Sequence, residues 1–144
     1  MKLKKIISGG QTGADQAGLR CAAALGLTTG GWAPHGYMTE AGPNFELRDK
    51  WGLREHESSS YAPRTRLNAA EGDATCWFGN TNSPGYWCTF NGCRDAKRPF
   101  FDNPSGEQFK ELADRFETIN IAGNRLSKNP RVEKLVELAF LGLA

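Results

Sequence analysis

With 144 residues, the chain is sized for one hydrophobic core, and residues 1–144 read as a single domain. Its net charge of +2 comes from 18 Lys and Arg interspersed with 16 Asp and Glu. No clustered basic face points to nucleic acid and no apolar run reaches membrane-spanning length, so neither partner is expected.

Leu3 to Ile7 is a short apolar run and predicts the first strand. The lysines around it resemble the charged region of a signal peptide. The apolar part, however, runs at once into glycines, which favours a strand. Ser8-Gly9-Gly10-Gln11-Thr12-Gly13 follows, and Ala14 to Leu25 has the Ala and Leu content of a helix. Strand, tight loop, helix is the order that makes an anion cradle. Glycine admits positive φ and close approach, and the N–H groups of the loop and first helical turn carry partial positive charge. The spacing G-G-x-x-G is neither a Walker loop nor G-x-G-x-x-G. Gly9, Gly10, Gln11, Thr12 and Gly13 are therefore candidate ligand contacts, with a plain structural turn as the alternative. Asp15 either caps the helix or accepts a hydrogen bond from a ribose or pterin. Valine at Gly10 or Gly13 is expected to abolish binding and leave the fold intact.

Leu27 to Trp32 predicts a second strand, interrupted by Gly30 and Gly31, and residues 33–60 read as an irregular, functional loop. A short helix is expected over Arg64 to Ala70, then a strand over Ala74 to Phe78 that ends at Gly79. A second loop, Gly79 to Gly85, leads to a helix over Tyr86 to Ala96. Arg98 to Asp102 is the fourth strand. Ser105 caps a helix reaching Phe116, Thr118 to Ala122 is the fifth strand, and Pro130 opens the last helix. Strands alternating with helices predict an α/β architecture: a mainly parallel five-stranded sheet with helices on both faces. In such sheets ligands bind at the carboxyl ends of the strands, which gathers the loops Ser8–Gly13, Gly31–Gly36, Gly79–Gly85 and Gly123–Ser127 on one edge.

Arg64, and beside it Arg66, offer guanidinium groups suited to phosphate. Trp32, Tyr86 and Trp87 sit at loop edges, where a ring either stacks on a flat ligand or packs in the core. The cysteines Cys21, Cys76, Cys88 and Cys93 form no C-x-x-C pair and have no His nearby, since His35 and His56 lie elsewhere. No metal site is expected, Cys21 and Cys76 read as buried thiols, and the cytoplasm is the expected compartment. No Ser or Cys is placed beside either histidine, and Asp15, Glu40, Glu46 and Asp102 form no evident acid–base pair, so no catalytic residue is assigned.

Ser8-Gly9-Gly10-Gln11-Thr12-Gly13-Ala14-Asp15 and Gly30-Gly31-Trp32-Ala33-Pro34-His35-Gly36 closely resemble motifs of the molybdenum cofactor carrier proteins. The likeness continues in Tyr61-Ala62-Pro63-Arg64-Thr65, Asn68 and Asp73-Ala74-Thr75. It returns in Asn120-Ile121-Ala122-Gly123-Asn124-Arg125-Leu126-Ser127, where that family usually has Pro at the position of Asn124. The resemblance implies a Rossmann-like doubly wound fold, a phosphorylated ligand at the Gly-rich loops, and a homo-oligomer. The ligand so implied is the molybdenum cofactor or a nucleotide, with no further cofactor required. It adds Gly31, Thr65 and Asn68 to the candidate contacts, and Gly79, Asn80, Pro84, Gly85, Tyr86 and Thr89 through the second loop. The related nucleotide phosphoribohydrolases carry Pro-Gly-Gly-x-Gly-Thr-x-x-Glu there. This chain has Pro84, Gly85 and Thr89 but Tyr86 and Cys88 in place of glycines, and no glutamate. The expectation is therefore a protein that holds a phosphorylated heteroaromatic molecule without cutting it. Sequestration of an ADP-ribose-type signal is the alternative, and a hydrolase is disfavoured.

Overall fold

The computed structural model describes all 144 residues. Five parallel strands form one sheet: β1 (Lys5–Ser8), β2 (Thr28–Gly30), β7 (Ala74–Phe78), β8 (Phe100–Asp102) and β9 (Thr118–Gly123), in the order β2-β1-β9-β7-β8. The central strands are covered on both sides, which is why they read as continuous apolar runs and not as alternating ones. Every residue of β7 is buried. Ile6, Cys76, Phe78, Ile119 and Ile121 pack into one core with α1 (Ala14–Ala24), α5 (Gly106–Arg115) and α6 (Val132–Leu141). The opposite face, carrying Thr75, Trp77 and Asn120, meets α3 (Tyr61–Glu71) and α4 (Pro84–Ala96), which pack on each other. The doubly wound sheet expected from the element order is the observed one.

Local signals hold where they rest on capping chemistry. Ser105 accepts from Gln108 N–H and the Gln108 side chain returns to Ser105 N–H, a complete capping box at the start of α5. Ser83 caps α4 through Tyr86 N–H, so that helix begins at Pro84, two residues before the expected start. α6 begins at Val132 and not at Pro130. Cys76 is buried as expected, but Cys21 is only half-buried, because α1 turns that edge toward the rim of the core.

Two expectations need correction. The second strand stops at Gly30, and Trp32 belongs to a separate ribbon in which β3 (Trp32–Ala33) pairs with β6 (Arg54–Glu55). Residues 33–60 are also ordered. A 3₁₀ turn (His35–Tyr37), the hairpin β4 (Met38–Thr39) and β5 (Gly42–Pro43), and α2 (Glu46–Asp49) surround a small core of Leu19, Ala33, Tyr37, Leu47, Trp51 and Leu53. Elements of two to four residues are too short to show a hydrophobic period, so only their packing reveals them.

Candidate functional site

Because all five main strands run parallel, their carboxyl ends share one edge, and the placement of β9 at the centre decides what meets there. The loop after β9 lies between those after β1 and β7. Asn124 is the joint. Its N–H donates to Phe78 O at 3.2 Å, its carbonyl accepts from Ala14 N–H at 3.2 Å, and its Oδ1 accepts from Asn80 N–H at 2.7 Å. A proline here would lack the N–H given to Phe78, so asparagine at this position builds a connection that proline does not. Asn124→Ala should leave Asn80 N–H and the β7 loop untied. We expect a loss of about 1–3 kcal/mol in urea unfolding, with the fold retained.

The glycine loop is packed against the protein itself. A side chain at Gly10 would meet the Leu47 and Leu53 methyls at 2.8 and 2.9 Å, and one at Gly9 would run into the Arg64 guanidinium. Gly13 has φ 84°, and a Cβ there would strike Asn124 O and lie 2.8 Å from Leu126 N. Valine at Gly13 is therefore expected to disrupt the fold instead of sparing it, while at Gly10, where φ is 78° but only leucine methyls stand in the way, a smaller cost is expected. Several of the loop's donors are also engaged internally: Gly10 N–H by Ser8 Oγ, Gln11 N–H by Asp15 Oδ2, and Ala14 N–H by Asn124 O. Asp15 thus closes the loop and does not cap α1, whose N-cap is Gly13.

Beneath the loop, Arg64 from the first turns of α3 is almost fully buried, with its Nη1 3.9 Å from Asp15 Oδ2. Burial pushes the Asp15 carboxyl up to about 6; the Arg64 charge and the N–H groups of Gln11 and Gly9 only partly oppose it. Burial likewise draws the Arg64 guanidinium down from its usual value. Arg64 Nε has no partner, and neither does Asn120 Oδ1. Both residues line a cavity of about 20 Å³ together with Gly9, Asp15, Thr65, Asn68 and Thr89. That volume admits one water-sized group and no ring. A guanidinium with a free N–H and a carboxyl that titrates near neutrality, side by side at the sheet's carboxyl edge, mark this as the candidate site.

Six of the residues expected from sequence (Gly9, Asp15, Arg64, Thr65, Asn68 and Thr89) converge on this cavity, though Asn68 also has a structural task. Its amide brackets the Trp32 backbone, accepting from Trp32 N–H at 2.9 Å and donating to Trp32 O at 3.0 Å. The Trp32 ring points elsewhere: Arg54 lies 4.1 Å over it and its Nε1 donates to Glu71. Gly31 packs on the Ser8 backbone, and Gly79 packs on the Asn124 side chain. Gln11 reaches Met38 O, and Thr12 reaches Glu40. Asn80 O accepts from Trp77 Nε1, while Pro84 and Gly85 form the exposed start of α4. Tyr86 does not narrow the site. It is buried edge-on against Trp77 and Phe100, and its hydroxyl donates to Asp102. The aromatic ring near the cavity is Tyr61, flanked by Arg64 at 5.1 Å and Arg125 at 5.6 Å. Arg66 is exposed. Asn120 and Arg125 were not singled out as contacts; a lone asparagine within the apolar run of β9 was the available signal.

This candidate site on a doubly wound sheet is placed as in a Rossmann-like protein, with the glycine-rich loops at the carboxyl edge. Writing β9 ahead of β1 turns the strand order into 3-2-1-4-5, the Rossmann order, so the chain is a circular permutation of that sheet. The chain belongs to the circularly permutated YpsA SLOG family, whose model matches residues 6–142. It is similar to a crystal structure from Syntrophus aciditrophicus SB that carries the provisional designation molybdenum carrier protein. The identity is 30% and the TM-score 0.84, over 99% of this chain and 96% of that one. No curated protein sequence matches it. No helix is long and apolar enough to cross a membrane.

Proposed function

We propose that this protein holds a phosphorylated heteroaromatic small molecule at the carboxyl edge of its sheet and does not cleave it. The observation that carries this reading is Arg64, a buried cation whose Nε has no protein partner and which borders a cavity one oxygen wide. An anionic oxygen of the ligand fits that space, and the rest of the molecule lies outside it across the loops, near Tyr61 and Arg125. Molybdenum cofactor as cargo accords with the Syntrophus relative. A nucleotide-derived signal of the ADP-ribose type presents the same phosphate and flat ring. No grouping of His, Cys, Asp and Glu of the kind that holds a metal ion is formed by the chain, so a metal would arrive within the cargo.

Thermal-shift measurements with nucleoside monophosphates, ADP-ribose, its cyclic isomers and phosphorylated pterins provide the test. A ligand at a hundred times its Kd should add about 2.7 kcal/mol of stability. No stabilisation by any of these would end the binding reading, and release of free base from a nucleotide would make the protein an enzyme.

A further inference from the structure

One carboxylate at the site's rim is placed as a ligand would be. Glu40, at the exposed tip of the β4–β5 hairpin, reaches the seam between the loop after β1 and the loop after β9. Its Oε2 accepts from Thr12 Oγ and from Ser127 N–H at 3.1 Å, and its Oε1 accepts from Ser127 Oγ. Leu126 N–H, at 3.2 Å from Thr12 Oγ, fixes the direction in which that hydroxyl donates. These hydrogen bonds hold the Glu40 carboxyl below its usual range, and the charge of Arg125 adds to them. One backbone N–H and two hydroxyls thus converge on two anionic oxygens, and a guanidinium stands nearby. That is the donor set of an oxyanion site, drawn from the two loops that frame the candidate site.

We infer that Thr12, Ser127 and Arg125 form a second anion subsite, for a phosphate or similar tetrahedral oxyanion, and that Glu40 is its resident stand-in, displaced when the ligand binds. The inference rests on the binding function proposed above and adds to it a separate place for ligand charge. The geometry allows the exchange at small cost. Glu40 is exposed and its side chain alone has to rotate, because the hairpin stays anchored by Gln11 Nε2 to Met38 O and by the buried Thr39. An anion entering beside an ionised Glu40 would meet like charge, so the carboxylate lowers affinity for any anion that does not also gain contacts elsewhere, such as at Arg64.

The test uses inorganic probes and the full chain. Orthophosphate and pyrophosphate are titrated into wild type, Glu40→Ala, and Glu40→Ala combined with Ser127→Ala, by calorimetry and phosphorus NMR. Removing the competitor should tighten pyrophosphate binding at least tenfold, and adding Ser127→Ala, which changes no charge, should erase the gain. Equal affinity in wild type and Glu40→Ala, or no binding to either, overturns the subsite and leaves the organic-ligand panel to judge the binding function by itself. Weaker binding in Glu40→Ala with a lowered melting temperature also overturns it, because Glu40 would then be a strap holding the two loops. A gain that survives Ser127→Ala would assign it to general charge removal and would likewise overturn the inference.

Discussion

Arg64→Met is expected to destabilise the protein by about 3–5 kcal/mol at pH 8, the usual cost of leaving one member of a buried ion pair alone. It should also change the shape of the pH dependence. Asp15 titrates at about 6 in the folded protein, above its ordinary 3.8, because burial disfavours its charge. The folded state therefore holds the proton more tightly than the unfolded chain. This group's contribution is most favourable below pH 3.8, declines as pH rises to about 6, and is level above that. The decline amounts to about 3 kcal/mol at 1.36 kcal/mol per pKa unit. Without the guanidinium, whose charge is the largest influence opposing burial, the Asp15 carboxyl moves higher still. Stability of Arg64→Met should then go on falling beyond pH 6, where wild type has levelled. Asp15→Asn should remove the slope. Urea midpoints from pH 4 to 9, taken as differences between the three proteins, cancel the other carboxylates. Parallel curves for wild type and Arg64→Met would show that the pair is not coupled. The same substitution should abolish stabilisation by the phosphorylated ligand panel, since it removes the only cation at the cavity.

Gly13→Val is expected to prevent folding, at a cost of at least about 4 kcal/mol, in the range reserved for severe core defects. Two independent causes add here. The φ of 84° is one that β-branched residues scarcely adopt, and the Cβ would strike the Asn124 carbonyl, which is backbone and tied to Ala14 N–H. Gly10→Val should cost less, because its obstacles are the methyl ends of Leu47 and Leu53, which can rotate. Circular dichroism and urea unfolding would order the two variants. A folded Gly13→Val protein with wild-type stability would show that the seam between α1 and the β9 loop yields more than its hydrogen bonds suggest.

These two results would separate what the glycine loop does from what lies under it. The glycines allow the chain to approach itself, bringing the loop onto Arg64, onto the 33–60 core and onto the β9 loop. The cation with an unpartnered N–H beneath the loop is a side chain from α3, whereas the loop's own N–H groups at Gly10, Gln11 and Ala14 are engaged within the protein.

Much of this was legible in the residues. The alternation of apolar runs with helical spacing determined the α/β class, because central parallel strands and amphipathic helices leave different periods. Ser105 with Gln108 determined the start of α5, because capping is a contact within one turn. Arg64 was nameable because a guanidinium suits phosphate, and Asp15 as an acceptor on the first loop, whereas Thr65, Asn68 and Thr89 came only from the family resemblance. Tertiary structure alone decided the rest. Nothing local announces that β9, last in the chain, lies at the centre of the sheet and makes Asn124 the joint of three loops. Nothing local turns Tyr86 inward to Asp102 or Trp32 outward under Arg54, since a loop-edge aromatic, though more often core, can also face a ligand. The donors that receive Glu40 come from residues more than a hundred positions apart, and only folding brings them to one carboxylate.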